Sequence, residues 1–116
     1  MLIGDSIRIG YRETVRKELE GSVEILSPEG NCRDTVTVLT HLHSWVLRQP
    51  PELVHINCGL HDLKTIIYGG RENLVPVEPY RRNVFEILKT IREKTPAKVI
   101  WATTTPINEQ KAHAAH

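Results

Sequence analysis

The chain reads as an α/β protein built on a parallel sheet, and two observations predict that class. Short apolar runs alternate with amphipathic stretches along the 116 residues, the βαβα order whose product is a parallel sheet with helices on both faces. Three polar clusters then follow the ends of expected strands: Gly4-Asp5-Ser6, Gly30-Asn31-Cys32-Arg33-Asp34 and Asn57-Cys58-Gly59-Leu60-His61-Asp62. In open parallel sheets the site lies beyond the carboxyl ends of the strands, so all three belong on one rim.

Leu2 and Ile3 form the stub of a first strand, buried on both faces and ending at Gly4. Ile7, Tyr11, Val15 and Leu19 recur every four residues and predict a helix with that face inward, Gly21 serving its C-terminus. Ser6 thus stands at a helix N-terminus, where free amides and the macrodipole favour an anion beside the serine oxygen. It is either an ordinary N-cap or a nucleophile delivered at a strand-to-helix turn. Residues 23–26, Val-Glu-Ile-Leu, read as a second strand. Asp34 caps a helix whose core face is Val38, Leu42, Trp45 and Val46, and Pro50-Pro51 stops it.

Leu53-Val54-His55-Ile56-Asn57 is a third strand. The segment after Asp62 contains Ile66, Ile67 and Tyr68 and ends in Gly69-Gly70-Arg71, which predicts a flexible loop on the rim, with Tyr68 either contacting substrate or packing beneath the loop. Residues 80–94 predict a helix with Val84, Ile87, Leu88 and Ile91 inward, closed by Pro96. Lys98-Val99-Ile100-Trp101-Ala102 is a fourth strand.

A formal net charge of +1 offers no electrostatic argument for nucleic acid or a membrane surface. No apolar run approaches the length of a membrane span and no signal peptide is present, so the cytoplasm is the default compartment, with a leader upstream of Met1 left open. Cys32 and Cys58 fall on loops of the same rim; a disulfide is geometrically conceivable but not indicated by the sequence, and two free thiols are expected. His41 and His43, two apart on a helix, point in different directions and cannot share an ion. His113 and His116 could do so on a helical tail, but no carboxylate or cysteine completes a set, so neither metal nor cofactor is expected.

Gly4-Asp5-Ser6 before a helix, with Gly59-Leu60-His61-Asp62 after a later strand, resembles the SGNH, or GDSL, hydrolases, a superfamily of serine esterases and lipases. The resemblance spans nearly the whole chain in order and spacing. It implies a three-layer α/β/α, flavodoxin-like fold, a small-molecule ester as substrate, and Ser6 as nucleophile of an acyl-enzyme. It further implies an oxyanion hole from Ser6, Arg33 and His61, with Asp5, Asn31, Gly59 and Asp62 lining the site. Two positions depart from the family pattern. Arg33 stands where the family has a glycine and can donate its backbone amide only from a backbone conformation glycine adopts cheaply. His61 stands where the family has an asparagine and keeps a side-chain donor through its ring. Asp62 matches the family and is expected to tie down its loop.

Nothing after Thr105-Pro106 resembles the family's terminal Asp-x-x-His block, nor its fifth strand and last helix. The resemblance therefore implies a single domain over residues 1–116 that is a fragment ending after the fourth strand, with impaired activity. His113 and His116 are the candidates for a base, the alternative being a helical or frayed tail. A sheet ending there exposes an edge and an apolar face around Val99-Ile100-Trp101, which predicts self-association or pairing with the rest of the same polypeptide. The competing reading is a non-catalytic α/β module binding a small polar ligand or a partner at the same rim.

Overall fold

The computed structural model describes residues 1–64 and 73–108. Its elements run β1 (Leu2–Gly4), α1 (Ser6–Glu18), α2 (Thr35–Leu42), β2 (Leu53–Asn57), α3 (Val77–Lys94) and β3 (Lys98–Ala102). The three strands form one parallel sheet in the order β1-β2-β3. Gly4 pairs with Asn57 and Asn57 with Ala102, so the strand ends are level and the loops after them share a rim.

Alternation along the strands sorts the two faces. Ile3, Val54 and Ile56 are fully buried in one core with Val38, Leu42 and Val46 of the second helical segment and Ile87 and Ile91 of α3. On the opposite face Tyr11 of α1 sets its ring edge-on to His55, 6.3 Å between centroids. Asp34 caps α2 by accepting from the Thr37 amide at 2.8 Å. Beyond Leu42 the helix widens by one residue, the Arg48 amide reaching the carbonyl of His43 at 2.9 Å, and this π turn keeps Val46 buried. Helix α3 begins at Val77, three residues before the expected start, because Pro79 sits in its first turn, where the N–H it lacks has no intrahelical partner anyway.

Two expectations are corrected. Residues 23–26 are not a strand, and the sheet has three strands among the described residues. The Leu2 amide does donate to Leu26 O at 2.7 Å, as a parallel ladder requires, but the next rung needs an N–H from Pro28. Ser27 Oγ donates to Leu2 O instead, at 2.9 Å, and the ladder stops. The second correction concerns α1. Ile7 and Leu19 are exposed, and the buried residue is Arg8. The stripe Ile7, Tyr11, Val15, Leu19 lines a groove of about 1000 Å³ over the sheet. Its residues remain partly wet because the stripe opens onto that groove, with only Tyr11 reaching across to His55 and Asn57 of β2. Along the fourth expected strand, here β3, the anticipated exposure holds for Ile100 at 48%, whereas Val99 and Trp101 pack against the core.

Candidate functional site

Backbone and side-chain bonds draw the three polar clusters together. The Cys32 amide donates to Gly4 O at 3.0 Å, joining the second cluster to the first. Cys58 Sγ approaches Arg33 O at 3.7 Å, and the Asp62 carboxylate accepts from the Thr35 amide at 3.1 and 3.2 Å. The second cluster therefore reaches the rim although the strand expected before it does not form.

Ser6 is the first residue of α1 and is exposed. Asp5, not Ser6, is the N-cap: its carboxylate accepts from the Ile7 amide at 2.9 Å. Among the described residues no hydrogen bond engages the Ser6 hydroxyl, so it is presented to solvent at the positive end of the helix with no base attached.

Arg33 has φ 59°, the left-handed conformation that glycine adopts cheaply and that strains a non-glycine residue. Its amide, however, donates to Asn31 Oδ1 at 2.8 Å. An oxyanion would have to displace that side chain to use it. His61 is half-buried; burial lowers its pKa from 6.5, helped by Lys64, while Asp5 and Asp34 oppose the shift. The ring is neutral at pH 7 and retains one N–H donor. Asp62 is buried and receives both the amide and the hydroxyl of Thr35. Its burial raises its pKa, with the Thr35 bonds pulling the other way. It anchors the loop to α2, as expected.

Gly59 is closely packed: a Cβ there would collide with the Thr104 hydroxyl, which would have to turn away, and Tyr80 fixes the neighbouring Cys58 carbonyl at 2.9 Å. Cys32 and Cys58 are free and buried, and burial pushes both thiols up, Cys58 further because Asp62, Asp34 and Asp5 add negative potential. Neither is an activated nucleophile. His41 stacks on Trp45 at 4.8 Å, and no group of three metal-ligating side chains exists among the described residues. The loop with Ile66, Ile67, Tyr68 and Gly69-Gly70-Arg71 lies outside the described residues, as do His113 and His116. Among the described residues no helix is long and apolar enough to cross a membrane.

Comparison with protein-family models, curated proteins and solved structures returned no match.

From the sequence, Arg8 and the Tyr11 hydroxyl are not expected at the rim, and Asn57, placed there with the third cluster, is given no role. Arg8 is fully buried and donates to the carbonyls of Gly4, Pro28 and Gly30 and to Ser27 Oγ, pinning the 27–30 loop to β1. Tyr11, counted as a core position, donates to Asn57 Oδ1 at 2.9 Å, and Asn57 Nδ2 donates to Asp5 Oδ1 at 3.0 Å. A tyrosine in an apolar stripe was a usable signal, since a buried hydroxyl needs a partner.

Proposed function

We propose that the chain is a serine hydrolase of the SGNH type acting on a small-molecule ester, on the flavodoxin-like α/β/α plan that the three-stranded sheet matches coarsely. The observation that carries this reading is the disengaged, exposed hydroxyl of Ser6 on the first turn of α1, with Asp5 performing the capping. With Asp5 supplying the cap, the Ser6 hydroxyl at the first helical position is left available for attack.

In the proposed reaction Ser6 Oγ attacks the ester carbonyl, the alcohol departs and an acyl-enzyme forms, which water then hydrolyses. The tetrahedral oxyanion is held by the Ser6 amide, by the His61 ring N–H and by the Arg33 amide once Asn31 yields it. Asp5, Gly59 and Asp62 shape the rim. No described residue supplies a general base to Ser6; attack without one is slow and rests on oxyanion stabilisation and binding alone.

A second reading, a non-catalytic module holding a polar ligand at the rim, is favoured by the Arg33 amide being bonded to Asn31 Oδ1. A fluorophosphonate probe followed by intact mass separates them. One adduct on wild type and none on Ser6→Ala supports the hydrolase; no adduct at high reagent favours the module.

A further inference from the structure

We infer that Asn57 and Tyr11 are positioning residues for Ser6, acting through Asp5, and that the glycine of Gly4-Asp5-Ser6 exists to admit the Asn57 amide. The inference rests on Ser6 being the nucleophile of the proposed hydrolase and extends it to residues outside the recognised motif.

The geometry is a directional chain. Asp5 Oδ1 accepts from the Ile7 amide at 2.9 Å and from Asn57 Nδ2 at 3.0 Å. An ionised carboxylate can only accept, so the nitrogen of the Asn57 amide must face it. Asn57 Oδ1 then points to Tyr11, whose hydroxyl donates at 2.9 Å. With the carboxylate accepting, each role follows in turn: the amide nitrogen faces Asp5, the amide oxygen faces Tyr11, and the Tyr11 hydroxyl, able to do either, donates. The chain closes on α1 itself, since Asp5 caps the helix and Tyr11 lies one and a half turns along it. Asn57, at the end of β2, thus grips α1 at two points, its N-cap and Tyr11 in the second turn.

Gly4 makes room for this grip. It is the register partner of Asn57 across the sheet, and a Cβ on Gly4 would collide with Asn57 Oδ1 and lie 2.7 Å from Asn57 Cγ and from Arg8 Cβ. Any side chain there would eject the amide from its place between Asp5 and Tyr11. Asp5 is 2% exposed, so without Asn57 its buried carboxylate loses one of two hydrogen bonds and its hold on the turn that carries Ser6.

The test uses the whole chain, wild type, Asn57→Asp and Tyr11→Phe, with two readouts. One is the rate of fluorophosphonate adduct formation on Ser6, resolved into a maximal rate and a half-saturating concentration. The other is hydrogen exchange of the Ile7 amide, with Ile87 in the core as internal control. Asn57→Asp sets a carboxylate against Asp5 at unchanged size. It should lower the maximal labelling rate by about tenfold and speed Ile7 exchange by a similar factor, with the half-saturating concentration and Ile87 unmoved. Tyr11→Phe should do the same more weakly, by about threefold. If Asn57→Asp fails to fold, Tyr11→Phe, which removes a single oxygen, decides. Ile7 exchange equal to wild type in the folded variants overturns the inference. If wild type labels and the folded variants label at the same maximal rate, the positioning inference falls alone; if wild type does not label, the nucleophile reading falls and takes the role toward Ser6 with it.

Discussion

Asp62 holds Thr35 by both its amide and its hydroxyl, so the loop after β2 is fastened to the first residue of α2, 27 positions earlier in the chain. Asn83 of α3 donates to the same Thr35 hydroxyl at 3.0 Å. One buried carboxylate therefore keeps the His61 loop and two helices in register. Asp62→Ala leaves the Thr35 amide buried without an acceptor and should cost about 2–3 kcal/mol in urea unfolding. Asp62→Asn keeps an acceptor and should cost less. The sign with pH follows from the raised folded pKa. Relative to Asp62→Asn, wild type is most favoured below pH 3.8 and loses that advantage as pH rises through the folded value.

Ser6→Ala should remove all fluorophosphonate labelling and any hydrolysis of a short activated ester, yet change stability by less than about 0.5 kcal/mol, as for an exposed side chain without partners. Asp5→Ala should show the opposite balance, costing about 1–2 kcal/mol as a lost cap. Equal labelling of wild type and Ser6→Ala would sink the nucleophile assignment, and a large stability loss in Ser6→Ala would return Ser6 to a capping role.

His61→Asn should retain most of whatever activity the chain has, and His61→Ala should lower the rate by about one to three orders of magnitude with little change in KM. Its lowered folded pKa also predicts a pH effect. Above 6.5 the ring is neutral in both states; as pH falls below 6.5 the unfolded chain takes a proton that the folded chain resists. Wild type should therefore lose stability relative to His61→Asn on acidification from 6.5 through the folded value, measured as the difference in Tm. Parallel curves across that window would remove His61 from its half-buried place at the rim.

Arg8→Met should destabilise by about 3 kcal/mol or more, since the carbonyls of Pro28 and Gly30 and the Ser27 hydroxyl lose their buried donor together, while Gly4 O keeps the Cys32 amide. Arg8→Lys should recover only part, because an ammonium cannot span acceptors spread around a guanidinium fork. Thermal unfolding of the two variants orders them. Arg8→Lys matching wild type would show that charge alone, not the fork, holds the 27–30 loop.

Leu53 and Ile100 are 42% and 48% exposed on the groove face. Exposed apolar side chains near β3, an edge strand of the sheet among the described residues, favour pairing with a second copy. Sedimentation velocity should report concentration-dependent association, reduced in Ile100→Lys. A monodisperse monomer at high concentration would contradict this.

Local signals sufficed wherever a residue's role is set within a few positions of itself. The period of Val38, Leu42 and Val46, the cap at Asp34, the short runs at Leu53–Asn57 and Lys98–Ala102, and the arrival of Ser6 at a helix start are all readable along the chain and are all found in the fold. Tertiary structure decided what depends on partners remote in sequence. Residues 23–26 have strand composition, but Pro28 lacks the N–H for the next rung, and Ser27 and Arg8 satisfy the edge of β1 instead. The apolar stripe of α1 has the period of a buried face, but burial needs an opposing surface, and over the far side of the sheet there is a groove. The use of Gly4 was legible only in part: its place before Asp5-Ser6 marked a turn, while the need for glycine comes from Asn57, 53 residues away, whose amide occupies the space a side chain would fill.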